Sequence, residues 1–143
     1  MLSHMSVAFD LSHSGAGTPT IALVDQIERG LPLSAVDQLA RQVAPDDRNF
    51  KYNFVSRPTY ARRKAQSPTG RLSKAESARL VRFIRIWEMA LRVWKGEDAA
   101  RAFLQRPHML LEGRTPLAVI LSGEVGGQLV EDILGRLLYG TGV

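Results

Sequence analysis

The sequence predicts an all-α protein, on three observations. From Thr20 onward, apolar residues return every three or four positions, the period of a helix that lays one face on a core. Between those runs stand Pro, Gly and the short hydroxyl or carboxylate residues that start and stop helices. No stretch alternates apolar and polar residues over the length a strand needs.

Residues 1–19 carry Ser, Gly, His and Thr with little periodic apolar content, so a flexible N-terminal tail is expected. A first helix follows from Thr20, with Ile21, Val24 and Ile27 at helical spacing and Gly30 and Pro32 as its stop. Ser34 is expected to cap a second, which places Val36, Leu39, Ala40 and Val43 on one face before Pro45 ends it. Asp46 or Asp47 can cap a third, less regular helix holding Phe50 and Phe54. After a short turn through Val55, Ser56 is set to cap a fourth that begins Arg57-Pro58-Thr59. Pro is tolerated there because first-turn N–H groups have no intrahelical partner.

Ser67-Pro68-Thr69-Gly70 reads as a linker and divides residues 20–69 from residues 71–143. Ser73-Lys74-Ala75-Glu76 fits a capping box, in which the Ser oxygen and the Glu carboxylate each take the other's backbone N–H. The long helix after it places Leu80, Ile84, Trp87, Leu91 and Trp94 on one stripe, with Arg79, Arg82, Arg85 and Arg92 on the opposite face. Gly96 ends it, and Glu97-Asp98 open a short helix with acids suited to the N-terminal dipole. Thr115-Pro116 opens another helix, and a final one is expected after Gly126-Gly127, with Gly140 as its stop.

The 143 residues are 45% hydrophobic and 23% charged, an ordinary balance for a globular protein. Cys is absent, which excludes disulfides, thiolate metal sites and a Cys nucleophile. No run of 18 apolar residues exists, and the N-terminus lacks the pattern of a secretory signal. A cytoplasmic protein without membrane contact is expected. The three His residues, His4, His13 and His108, lie scattered, and no ligand spacing brings them together. The Gly-rich stretch Ser122–Gly127 lacks the Lys-Ser/Thr ending of a phosphate loop. Glu131 and Asp132 are adjacent on a helix and point in different directions. Neither an enzyme nor a bound metal or cofactor is expected.

Charge is distributed unevenly. Residues 1–45 hold two basic and four acidic side chains, residues 46–106 fifteen and six, and residues 107–143 two and four. A basic block between two mildly acidic ends fits either a polyanion partner or a solvated surface. Within the block, Ser56 to Lys64 forms a short helix of hydroxyl, aromatic and guanidinium groups after a helix and a turn. That is the arrangement of a helix-turn-helix, whose second helix enters the major groove. Arg57 can read guanine or hold phosphate, Thr59 and Tyr60 can make shorter contacts, and Arg62, Arg63 and Lys64 suit phosphates. The apolar, nearly uncharged last third, ending on Leu137-Leu138-Tyr139, has two readings: a helix packed onto Trp87 and Trp94, or a surface for a partner.

The C-terminal half carries a longer pattern. It runs through Arg71-Leu72-Ser73, Glu76-Ser77, Arg79-Leu80, Gly96, Ala99-Ala100 and Phe103-Leu104. It continues through Pro107, Leu111, Gly113-Arg114-Thr115-Pro116-Leu117, Gly127, Val130, Leu134 and Arg136 to Tyr139-Gly140. In this respect the chain resembles the toxin-binding domain of the Xre/MbcA/ParS-like antitoxins. The N-terminal half resembles that family's Xre-like helix-turn-helix through Val55-Ser56, Thr59 and Arg62-Arg63, and departs from it at Phe54 and Pro58. The resemblance implies a DNA-binding module over residues 20–69 and a toxin-binding domain over residues 71–143. It implies a type II antitoxin that neutralises a RES-domain, NAD-using toxin by placing its C-terminal segment in the toxin's active site. It also implies a homodimer that binds operator DNA and represses its own operon; a stand-alone dimeric transcriptional regulator is the alternative. Carried onto this chain, Arg136, Leu138, Tyr139, Gly140 and the tail to Val143 would meet the toxin. Leu117, Val130 and Leu134 would hold that end in place.

Overall fold

The computed structural model describes residues 20–66 and 70–140. The expected tail, Ser67-Pro68-Thr69 of the expected linker, and Val143 lie outside the described residues. Among the described residues there are seven α-helices, two 3-10 turns and one isolated β-bridge, so the all-α expectation holds. None of these helices is long and apolar enough to cross a membrane. The chain divides into two compact units, the first ending at Val81 and the second starting at Arg82.

In the first unit, helix α1 spans Ile21–Arg29, and the Thr20 hydroxyl caps it by accepting the Leu23 N–H at 3.2 Å. Its buried side chain is Leu23, whereas Ile21 is 74% and Val24 46% exposed. The expected stripe is therefore turned: the inward face runs through Leu23 and the half-buried Ile27, four residues apart. Helix α2 spans Leu33–Val43 and starts earlier than a Ser34 cap would allow. Leu31 and Leu33 are both buried, and the Pro32 carbonyl between them accepts the Ala35 N–H at 3.0 Å. Burial of that leucine pair sets the start, and Ser34 sits exposed in the first turn.

The expected third helix is reduced to a 3-10 turn, Phe50–Asn53. Asp47 accepts the Asn49 N–H at 2.9 Å, and the Asn53 side chain donates to the Phe50 carbonyl at 2.8 Å. Such short side chains compete with the helical ladder and shorten the element. Phe50 and Phe54 are nonetheless buried, edge to face at 5.6 Å. Helix α3, Arg57–Ala65, starts as expected, with the Ser56 hydroxyl accepting the Thr59 N–H at 3.3 Å and Pro58 in the first turn.

Residues 30–32 and 70–72 then meet. The Leu72 N–H donates to the Leu31 carbonyl at 2.8 Å, and Pro32 pairs with Arg71 as an antiparallel bridge. The Arg71 guanidinium donates to the Gly30 carbonyl at 2.9 Å. Fully buried Ser77 accepts the Leu31 N–H at 2.9 Å. These bonds place residues 71–81 with the first unit, where the sequence put a boundary at Gly70. Helix α4, Lys74–Trp94, runs through the observed boundary. Its capping box forms as expected: Ser73 N–H to Glu76 at 2.7 Å and Glu76 N–H to the Ser73 hydroxyl at 3.1 Å.

Leu80, Ile84, Trp87 and Leu91 of α4 are buried, but so are Val81, Phe83, Ile86, Met89 and Ala90. Of the expected arginine face, Arg79 and Arg92 are exposed and Arg82 and Arg85 half-buried. Arg79 donates to the Phe54 carbonyl at 3.3 Å, and in the second unit Arg82 and Arg85 pair with Glu124 and Glu131 at 3.4 and 3.2 Å.

The second unit continues with α5 (Glu97–Gln105), a 3-10 turn Met109–Leu111, α6 (Pro116–Leu121) and α7 (Glu124–Tyr139). Thr115 caps α6 by accepting the Ala118 N–H at 3.1 Å. Helix α7 begins at Glu124, so Gly126 and Gly127 lie inside its first turns and do not precede it. A Cβ at Gly126 would strike the Val119 carbonyl and come within 2.6 Å of the Ser122 hydroxyl. Gly126 lets α6 and α7 approach, and Gly127 makes room for Arg82 and Ile86 of α4; they are not a turn. Gly140 closes the helix in the left-handed region, φ 68°.

Candidate functional site

In the first unit, α2, the 3-10 turn and α3 border a groove of about 640 Å³. Five cations line it, Arg41, Arg48, Lys51, Arg57 and Lys64, against two carboxylates, Asp37 and Asp47. Both carboxylates are engaged within the unit. Asp37 accepts the Tyr60 hydroxyl at 2.8 and 2.9 Å and lies 3.8 Å from Lys51, and Asp47 holds the Asn49 N–H. The groove thus presents an excess of positive charge.

Arg57 is fixed in place. Its Nη2 donates to Asn49 Oδ1 at 2.8 Å, and its guanidinium lies 4.3 Å from the centre of the Tyr52 ring. A guanidinium held over an aromatic ring by a cation–π contact and a hydrogen bond loses much of its freedom to reorient. The α3 cap and the turn before it position this group: Ser56 ends the turn, and Asn49 reaches it from across eight residues.

The six residues of α3 singled out by sequence fall into different places. Arg57, Arg62 and Lys64 are exposed and Thr59 is half-buried. Tyr60 is buried, only 5% exposed. Burial, aided by Asp37, pushes its hydroxyl up to about 12, and its ring packs inward, so it belongs to the core of the unit. Arg63 pairs with Glu76, the same carboxylate that closes the α4 capping box. Burial raises the Glu76 carboxyl, but the Ser73 N–H and the Arg63 guanidinium outweigh it and hold the group below the usual carboxylate range. Arg63 is therefore bound within the unit. Arg41, Arg48, Asn49 and Tyr52 were missed by the sequence reading. Only the recurrence of Arg41 four residues after Asp37 placed any of them on a shared face.

The second unit presents the end of α7. Val130 and Leu134 are fully buried and Ile133 is 5% exposed, so one face of the helix is seated in the core. Leu117 is half-buried. Beyond that seat, Arg136 and Gly140 are exposed, Leu138 is half-buried, Leu137 is 50% and Tyr139 63% exposed. Earlier on the helix Val125 and Leu129 are exposed too, at 84% and 46%. The outward face of α7 thus joins apolar side chains to Arg136 and Tyr139 at its C-terminal end.

Comparison with known proteins places both regions. Residues 22–85 match the antitoxin Xre-like helix-turn-helix domain. Residues 89–140 match the antitoxin Xre/MbcA/ParS C-terminal toxin-binding domain. Over 121 residues the chain is 28% identical to the antitoxin Xre of Yersinia enterocolitica (serotype O:8, biotype 1B), which covers 83% of this chain and 80% of that one.

Proposed function

The chain belongs to the Xre/MbcA/ParS antitoxins, and from that membership we propose that it silences a RES-domain, NAD-using toxin by physical occlusion. It is an antitoxin with a helix-turn-helix and a C-terminal toxin-binding domain, and not an enzyme. The observation that carries the occlusion reading is the division of α7. Val130, Ile133 and Leu134 anchor the helix, while Arg136, Leu137 and Tyr139 stand exposed beyond the anchor. A seated helix that delivers an exposed end pre-organises that end for a partner's cavity and lowers the entropy lost on binding. Tyr139 brings a large amphipathic ring, and Arg136 a planar cation suited to a site that otherwise holds phosphate or carboxylate groups. The tail through Leu138 and Gly140 to Val143 completes the plug.

The first unit supplies the second activity, binding of operator DNA as a homodimer in the cytoplasm. Arg57, Arg62 and Lys64 of α3 face the DNA with Thr59 beside them, and Arg41 and Arg48 add backbone contacts from the groove. Tyr60 and Arg63 support that surface from within.

Deletion of residues 137–143 tests the occlusion. The truncated chain is expected to lose protection against its toxin in cells while its purified form still binds operator DNA. If it still neutralises the toxin, occlusion by the C-terminal segment is wrong. Tight operator binding by the full chain, without protection against a co-expressed toxin, would instead make it a stand-alone regulator.

A further inference from the structure

The second unit contains an apolar pocket of about 460 Å³ that the readings above leave unused. Trp94 and Phe103 form its walls, with ring centres 5.5 Å apart, and His108 stands edge-on to Phe103 at 6.0 Å. Ala99 and Ala102 line the opening, small enough to leave it open. Arg106 brings a guanidinium to its edge. Trp94 is 39% exposed, whereas Trp87, two turns earlier on the same face of the helix, is fully buried. Met109 and Leu110, directly after His108, are 91% and 64% exposed. The pocket thus opens onto an apolar surface with a cationic rim, and all of it lies inside the stretch that matches the toxin-binding domain.

We propose that this pocket is a second point of attachment to the toxin: it takes an apolar side chain of the toxin, with a carboxylate next to it in the toxin's chain paired to Arg106. The aromatic walls supply the desolvated anchor that dominates interface energy, and the rim cation selects the flanking group. A second copy of this chain fits less well. The pocket lies within the stretch that matches the toxin-binding domain, which favours the toxin as its occupant. The inference rests on the antitoxin reading, but it is separable from occlusion. The pocket sets affinity, and the C-terminal segment sets inhibition.

The test uses the full chain and a purified RES-domain toxin, the class proposed above, disabled in its own active site. Ala99→Glu places a carboxylate at the mouth of the pocket from an exposed helix position, and Arg106→Glu reverses the rim; circular dichroism confirms that both fold. Each is expected to weaken toxin affinity by about tenfold or more. Both should still inhibit active toxin fully at saturation, because the C-terminal segment is intact. In the wild-type chain labelled with 5-fluorotryptophan, the Trp94 fluorine signal should shift on toxin binding and the Trp87 signal should move less. Affinity equal to wild type in both variants, with an unmoved Trp94 signal, overturns the proposal and leaves the antitoxin reading intact. Failure of the wild-type chain to bind the toxin overturns both. A change in the oligomeric state of the free variants assigns the pocket to a second copy and also overturns it.

Discussion

Tyr60 stands among arginines in the sequence and reads there as a surface residue, yet its hydroxyl is tied to Asp37, 23 positions earlier. No local spacing reveals such a pairing, because it depends on how α2 and α3 pack. The same holds for Arg63, whose partner Glu76 lies beyond the linker. The Tyr60 arrangement has a measurable signature. The folded chain keeps the phenolic proton up to about pH 12, whereas the unfolded chain releases it near its ordinary value of 10.0. The native state therefore binds more protons between those values, and stability is full below pH 10 and declines as pH rises through 12. Urea unfolding should show the wild type losing about 2–3 kcal/mol more than Tyr60→Phe across that interval. Parallel pH profiles would mean that the fold does not protect the proton. At neutral pH the same variant should be less stable by about 1 kcal/mol, since Asp37 loses its donor.

At the scale of elements, most helix starts were legible, since Thr20, Ser56, Ser73 and Thr115 each accept the N–H that a capping residue accepts. Capping is a local contest, settled within four residues, and sequence contains all of it. The starts that sequence missed were decided by packing. Leu33 draws α2 back to Pro32, and close packing on α6 at Gly126 and on α4 at Gly127 takes both glycines into α7. The third helix failed for a local reason that composition understates, the competition of Asn and Asp side chains for backbone groups. Helix α7 offers a paired test. Gly126→Ala must push α6 away and should cost about 1–3 kcal/mol in thermal or denaturant unfolding. Gly135→Ala meets only Met89 Cε at 3.9 Å and should be neutral or stabilising by about 0.5–1 kcal/mol. Equal effects would mean that the α6–α7 contact is not close at Gly126.

For the molecule as a whole, the sequence located the positive charge but could not say how much of it was already in use. Of the fifteen basic residues between 46 and 106, several are bound inside their own unit. Arg63, Arg82 and Arg85 hold carboxylates, and Arg101 holds Glu97 and Asp98. In the first unit, what remains for a polyanion gathers near Arg57 and the groove beside it. Operator binding measured against salt concentration separates the two groups. Arg57→Ala and Arg62→Ala should each reduce the slope of log K against log salt by about 0.9. Arg63→Ala should leave the slope unchanged and lower stability instead. A slope unaffected by all three would remove the DNA surface from α3. The fold class and the two-part organisation were readable because helical period and caps repeat along the chain. The allocation of charges was not, because it is a property of neighbours in space.

The meeting of residues 30–32 with 70–72 has a consequence for how such a protein can change over time. The chain enters and leaves the segment that carries α2 and α3 through one doorway, latched by the Leu31–Leu72, Pro32–Arg71 and Leu31–Ser77 contacts. A segment whose two ends are fixed side by side can be replaced by another of similar span without moving its surroundings, much as domains are inserted where termini lie close together. Recombination could thus exchange the α2–α3 segment as a cassette while the toxin-binding domain stays as it is. Lineages of these antitoxins could then diversify their helix-turn-helix without losing their toxin.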